Sequence, residues 1–313
     1  MHRYLLLAAL LFAPIATYAQ EAPATTRAST DQSDETRFLR FIGDKAGGKL
    51  ETSDVKFQND KGVVVRLVSA VHVGEPSYYH DLQKVFAASD AVLYEMVKEK
   101  GAPVPKKGEP RESGIAKLQM FLTDTLGLSY QLDEVDYTPA NFIHADLDVE
   151  TFQRLQQERG ESFAMMFLSA MLKSMSDPSV GRMYEDEPTD MLDFMTRPDG
   201  QGQIKLLLAR RMGDIEREAS GMDFLNGSVI LTERNKAVTK TLKETLKSGK
   251  KNISIFYGAA HMPDLAERLD LMGFKPVETT WRTAWDARID PNAPSAFMKV
   301  MGKVQQQLQE TQP

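Results

Sequence analysis

Cysteine is absent from the 313 residues, and histidine occurs only five times. The absence of cysteine excludes disulfides, cysteine nucleophiles, iron–sulfur clusters and cysteine-ligated zinc. A metal ion would therefore need histidine, aspartate, glutamate or carbonyl ligands. The sequence also lacks the glycine-rich phosphate-binding motifs and the Gly-x-Ser-x-Gly motif of serine hydrolases. Nucleotide-binding and serine-esterase interpretations thus have no support.

The chain has no excess of basic over acidic residues and no long apolar segment. Its 38 Lys and Arg residues face 44 Asp and Glu residues, a net charge of −6, which argues against a nucleic-acid binder. Residues 1–19 predict a cleavable signal peptide, because Arg3 precedes the short apolar segment Leu5–Ile15 and Thr17-Tyr18-Ala19 has the cleavage pattern. We therefore expect a periplasmic or secreted protein whose mature form has no membrane span, since spanning needs about 20 apolar residues.

Composition also predicts the domain boundaries. Residues 20–48 are interpreted as a disordered linker, because Gln20–Glu35 is rich in Ala, Thr, Ser and charge and has no apolar period. Residues 49–298 are predicted to form one domain, and residues 299–313 a polar tail. Within the domain, about residues 115–226 have a mostly helical pattern and are expected to be an insertion.

Two strand–helix segments frame this insertion. The β-branched run Val63–Val68 predicts a buried strand, Pro76 begins a helix, and Ala91–Tyr94 predicts a second strand. This βαβ order makes the two strands parallel. Ile253–Tyr257 and Met262–Met272 repeat the order of strand and helix, and Lys275–Thr280 predicts one more strand. The expected fold class is therefore α/β, with a mixed, largely parallel central sheet flanked by helices and a large helical insertion between the two halves.

Three side chains suited to catalysis follow the predicted strands. His72, Glu95 and His261 each fall at the carboxyl end of a strand, the edge at which open α/β sheets bind ligands. Two imidazoles and a carboxylate form a known catalytic metal set that leaves positions open for water. A divalent ion such as Mn, Co or Zn would lower the pKa of that water. The alternative is that each histidine is a hydrogen-bonded structural residue.

The same residues belong to a pattern that resembles a known superfamily. The pattern consists of the motifs Ser69-Ala70-Val71-His72, Tyr94-Glu95, Glu233-Arg234-Asn235 and Gly258-Ala259-Ala260-His261. In order and strand-end context these motifs resemble those of the TraB/GumN (TIKI-like) superfamily, which has two Gly-x-x-His motifs, a glutamate and an arginine. The chain departs from that pattern at Ser69, which replaces the first motif glycine, and a positive φ there would be disfavoured.

The resemblance implies a fold related to erythromycin esterase and to the haem-binding ChaN-like proteins, and for some members metal-dependent peptide hydrolysis. It therefore predicts an exported hydrolase that acts on peptide or ester bonds of a small-molecule or peptide substrate. His72, Glu95 and His261 would bind the metal and activate water, and Arg234 would orient the substrate or stabilise an oxyanion. The alternative function is a non-catalytic protein that binds haem or a peptide at the same site.

Other polar residues near the motifs have simpler interpretations. Arg234 could form a salt bridge with Glu233 or another neighbour instead of contacting substrate. Asn235 could donate a hydrogen bond, but a position on the helix surface is favoured. His144 could reach the site as a third imidazole, but a capping or packing role is favoured, and His80 is expected on the solvated face of its helix.

Overall fold

A computed structural model describes residues 38–44, 46–104, 106–107, 126–161, 199–217 and 227–290, together with residues 292, 295, 298 and 302. The predicted signal peptide, the linker up to residue 37, much of the insertion and nearly all of the tail lie outside the described residues. The strands of the described part are β1 (Leu39–Asp44), β2 (Gly47–Gln58), β3 (Val64–Ala70), β4 (Val73–Gly74), β5 (Ala91–Tyr94), β6 (Ser129–Tyr130), β7 (Phe142–His144), β8 (Asn252–Gly258) and β9 (Lys275–Asp286). Its α-helices are α1 (Pro76–Ala87), α2 (Gln131–Glu134), α3 (Val149–Arg159), α4 (Gly200–Arg217), α5 (Arg234–Lys247) and α6 (Met262–Leu271).

The central sheet has seven strands. Their order is β1-β2-β3-β8-β5-β7, and β9 pairs along β2 as well. The strands β3, β8, β5 and β7 pair in parallel with one another, whereas β2 pairs antiparallel with β1, β3 and β9. The predicted fold class is confirmed: the sheet is mixed, largely parallel and flanked by helices.

Strand β8 occupies the centre of the parallel part. It pairs with β3 on one side and with β5 on the other, so the two strands of the predicted βαβ unit are parallel without being adjacent. All four residues of β5 and the middle five of β8 are buried. Such continuous apolar runs are typical of strands covered on both faces. The position of β8 brings the late His261 segment between the ends of the two early strands.

Helices cover both faces of this sheet. On one face, α1 buries Tyr78, Tyr79, Leu82 and Phe86 against a cluster that also includes Leu206 of α4. On the other face, α5 and α6 pack on a second apolar cluster that includes β3 and β8. In both layers the buried residues recur at helical spacing, which gives each helix one apolar side. None of the helices in the described residues is both long and apolar enough for a bilayer span.

Three segments differ from the sequence-based expectations. Residues 38–48 are not a linker, because β1 and the start of β2 pair in the sheet and Phe38 and Leu39 are buried. The linker interpretation rested on the composition of Gln20–Glu35 and overlooked the apolar residues that follow. The predicted insertion contains strands as well as helices, since β6 and β7 lie within it, and β9 continues to Asp286 beyond its predicted end at Thr280.

The buried sheet predicts a large difference between two identical substitutions. Leu67 of β3 is fully buried, whereas Leu271 at the end of α6 is 87% exposed. We expect Leu67→Ala to lower the free energy of unfolding by about 2–5 kcal/mol, because it removes buried methyl groups and leaves a cavity. Leu271→Ala should change it by less than about 0.5 kcal/mol. Urea unfolding of both variants tests this, and equal losses would contradict the burial pattern.

Candidate active site

The carboxyl edge of the parallel strands gathers four polar side chains. His72 follows β3, Glu95 follows β5, and Asp146 follows β7. His261 ends the short 3-10 turn Ala259–His261 that connects β8 to α6. Because parallel strands end at the same edge of the sheet, residues far apart in sequence meet there. This is the edge at which ligands bind in open α/β sheets.

Gly258, the last residue of β8, lies at the centre of this group. A β-carbon at Gly258 would be 3.4 Å from Oε2 of Glu95, 3.9 Å from Cδ2 of His261 and 4.0 Å from Nε2 of His72. The Gly258 N–H donates a hydrogen bond to Oε2 of Glu95 at 2.6 Å. The structure therefore brings the three predicted side chains together around one point, and the missing side chain of Gly258 leaves the space between them open.

Arg234 joins the group from the start of α5. Its Nη2 donates to Oε1 of Glu95 at 2.7 Å and to Oδ2 of Asp146 at 2.5 Å, and its Nε donates to Oδ1 of Asp146 at 2.9 Å. The arginine is only 3% exposed. It does not pair with Glu233, whose carboxylate contacts Arg159 and Lys236 instead. Arg234 is thus the common partner of two buried carboxylates.

The electrostatics of this cluster keep Glu95 ionised. Burial raises the pKa of Glu95, but the charge of Arg234, the neighbouring His261 and the Gly258 N–H outweigh that effect and hold the pKa below its ordinary value of 4.5. Burial lowers the pKa of Arg234, but Asp146 and Glu95 outweigh that effect and raise the pKa above its ordinary value. One guanidinium therefore faces two carboxylates, which leaves one surplus negative charge beside the imidazoles.

Asn235 fixes the orientation of His261. The Nδ2 of Asn235 donates to the carbonyl oxygen of His261 at 3.2 Å and to Oδ2 of Asp264 at 2.6 Å, so its Oδ1 is the atom that lies 2.7 Å from Nδ1 of His261. Nδ1 must then carry the proton, because an amide oxygen only accepts. Burial lowers the pKa of His261 to about 4. In the neutral ring Nε2 carries a lone pair. This Nε2 atom lies 3.7 Å from Oε1 of Glu95.

Gln131 holds His72 in a similar way. Oε1 of Gln131 lies 3.2 Å from Nδ1 of His72, and Nε2 of Gln131 donates to the hydroxyl of Tyr137 at 2.8 Å. The short pairing of β4 with β6 places Gln131 there, and its backbone N–H donates to the carbonyl oxygen of His72 at 2.8 Å. Both histidines therefore donate Nδ1–H to an amide and leave Nε2 available. Partners of this kind orient histidines that bind metals.

A π-helical turn precedes Arg234 and Asn235, two consecutive residues that contact different partners. Val229–Glu233 forms one π-helical turn before α5, and the Ser228 hydroxyl caps it by accepting from the N–H of Leu231. Such turns are frequent at functional sites. Arg234 and Asn235 follow the turn directly, and Asn235 is fully buried. The expectation that Asn235 lies on the helix surface is therefore wrong.

Two further residues of the group have no place in the sequence-based prediction. Asp146 follows the short strand β7, and the apolar pair Phe142-Ile143 is the local signal that could have identified that strand. Gln131 carries no comparable signal, because its position depends on a two-residue pairing between distant segments. His144, considered as a third imidazole, instead bonds through Nε2 to the carbonyl oxygen of Met96 at 2.6 Å, which agrees with the favoured packing role.

Two other expectations concern Ser69 and His80. Ser69 lies within β3, and no residue other than glycine has a positive φ in the described part of the chain. Its hydroxyl donates to the carbonyl oxygen of Phe38 at 3.0 Å. Serine in place of the motif glycine therefore requires no positive φ and introduces no backbone strain. The side chain of His80 is 58% exposed, as expected for the solvated face of α1.

Comparison of the chain with family models, with curated proteins and with solved structures finds no match. The TraB/GumN assignment stays a prediction that rests on the four motifs. No group of three or more His, Asp or Glu residues in the described ranges has the spacing of a complete metal-ligand set. Metal binding by His72, Glu95 and His261 likewise stays a prediction.

The buried neutral state of His261 predicts a pH-dependent stability. An unfolded imidazole takes up a proton as the pH falls through its ordinary value of 6.5, whereas the folded ring does so only near 4. The unfolded state therefore binds more protons in this window, and stability falls as the pH falls. In the presence of a chelator, we expect His261 to lower the free energy of unfolding by roughly 2 kcal/mol when the pH falls from 7 to 4.5.

Urea unfolding at both pH values measures this effect. The loss of stability between pH 7 and 4.5 should be smaller in His261→Gln than in the wild-type chain by that amount. His80→Gln, which changes an exposed histidine, serves as the control and should behave as the wild type. An unchanged pH dependence in His261→Gln would show that His261 is not held in the neutral form.

Proposed function

We propose that the chain is an exported hydrolase that activates a water molecule at His72, Glu95 and His261 and cleaves a peptide or ester bond. The observation that carries this proposal is the convergence of two imidazoles and one ionised carboxylate on the open space at Gly258. Each imidazole is held in place by an amide partner that leaves its Nε2 atom available. Gln131 holds His72, and Asn235 holds His261. Such preorganisation is what catalytic groups need.

A divalent ion such as Mn, Co or Zn fits the chemistry of this donor set. Two Nε2 lone pairs and a carboxylate with surplus negative charge are suited to hold it, and His72, His261 and Glu95 would be its ligands. A bound ion would supply a water molecule of lowered pKa. The residues act in the same direction without it, because an Nε2 lone pair can accept a proton from water while Glu95 keeps its negative charge beside the imidazoles.

Arg234 acts mainly by positioning Glu95. Its Nε and Nη2 are occupied by Asp146 and Glu95. Within the described part of the chain Nη1 has no hydrogen-bond partner, so it is the atom that remains for a substrate carbonyl or oxyanion. The imidazole of His72 is only half-buried and so provides the side of the site from which a small-molecule or peptide substrate can approach.

Elemental mass spectrometry tests the metal part of the proposal. The chain is purified without a histidine tag, Mn, Co and Zn are added in turn, and unbound ions are removed. We expect about one ion per wild-type chain and none in the His72→Ala/His261→Ala variant. His80→Ala should keep the ion, because the exposed His80 lies outside the site. No bound ion under any condition would eliminate the metal, and equal metal in all three proteins would place it elsewhere.

Hydrolysis of peptide and ester libraries tests the reaction itself. For any substrate that the wild type cleaves, Glu95→Gln should lower kcat/KM by roughly 100-fold or more, because it removes the negative charge that stabilises a cation or a protonated imidazole at the site. Full activity of Glu95→Gln and of the double histidine variant would refute the proposal. The alternative function, haem binding, predicts a Soret band on titration that the double histidine variant abolishes, and the same proteins decide between the two.

A further inference from the structure

A cleft of about 490 Å³ opens on the sheet face covered by α1, at the edge opposite the candidate active site. Arg66 near the start of β3 and Asn252 at the start of β8 line it, whereas His72 and His261 follow the ends of these strands. A volume in this range is typical of sites that hold small molecules. The cleft is therefore a separate feature of the fold.

The charged groups in and beside this cleft carry more positive than negative charge. Arg66 donates from Nη1 to both oxygens of Asp54, at 3.0 and 3.2 Å, and Arg282 donates from Nη1 to Oδ2 at 3.1 Å. The shared carboxylate of Asp54 is only 1% exposed. Lys84 is paired with Asp81 at 2.7 Å. Two guanidiniums thus share one carboxylate, and the lining carries one surplus positive charge.

The two arginines retain donors for a ligand. In their contacts with other described residues, both use Nη1 alone, which leaves Nε and Nη2 of each guanidinium available. Their side chains are 23% and 19% exposed. The neutral polar groups of the cleft are already engaged, since Ser89 bonds to Ser254 and Asn252 bonds to the carbonyl oxygen of Ala88. Recognition of a ligand therefore falls to the guanidiniums.

We propose that this cleft binds a small organic acid through its carboxylate. The guanidiniums of Arg66 and Arg282 hold the carboxylate, because charge-assisted hydrogen bonds from their planar forks match its geometry. A single negative charge neutralises the surplus. Val85 and Ala88 line the cleft and contact the aliphatic part of the ligand. The inference is independent of the proposed hydrolase, since no residue is shared between the two sites.

Isothermal titration of the full chain with butyrate, acetate and inorganic phosphate tests the proposal. We expect one butyrate per chain, bound more tightly than acetate because butyrate reaches the apolar wall. Arg282→Gln should weaken butyrate binding about tenfold or more by removing a charged donor. Ala88→Leu should also weaken butyrate binding, because its larger side chain narrows the apolar part of the cleft without changing any charge. Arg154→Gln removes a 56% exposed arginine of α3 and should bind butyrate as the wild type does.

Several results would overturn the proposal. Absence of saturable butyrate binding to the wild type would eliminate the site, and unchanged affinity in Ala88→Leu would place the ligand elsewhere. Tighter binding of phosphate than of butyrate would contradict the carboxylate assignment. If circular dichroism shows that Arg282→Gln is unfolded, Ala88→Leu keeps the test valid, because it removes no partner of Asp54.

Discussion

The candidate active site depends on the buried guanidinium of Arg234. It links the end of β5 through Glu95 to the end of β7 through Asp146, and it does so from the first residue of α5. Removing one partner of a buried ion pair leaves an uncompensated charge, which costs about 3–5 kcal/mol. The same cluster therefore fixes how the helix sits over the strand ends and holds Glu95 ionised where the two imidazoles meet.

Neutral amides rather than carboxylates hold the two histidines, and this choice has a chemical consequence. A carboxylate partner on Nδ1 would favour the protonated imidazolium, whereas an amide oxygen orients the ring without adding charge. For His261, burial then outweighs the attraction of Glu95 and keeps the ring neutral. The resting site therefore has no protonated His261 to neutralise Glu95, whose negative charge can attract a cation.

Local patterns predict the residues of the candidate site better than the partners that surround them. His72, Glu95 and His261 were predicted because each follows an apolar run or a small-residue turn that marks a strand end. The positions of Asn235 and Gln131 depend on tertiary structure: a π-helical turn directs Asn235 inward, and a two-residue pairing of β4 with β6 brings Gln131 to His72. Neither feature leaves a periodic signal, and the central place of β8 is likewise a property of the whole sheet.

The cleft and the candidate active site lie at opposite ends of β3. Arg66 and His72 are six positions apart, which corresponds to roughly 20 Å along an extended chain. Strand β3 is paired on both sides, with β2 and β8, and its central residues Leu67 and Val68 are buried. Substitutions so far apart, with no shared partners, act additively on stability. A change in one site therefore leaves the other intact unless β3 itself moves. Each of the two proposals can thus be tested independently of the other.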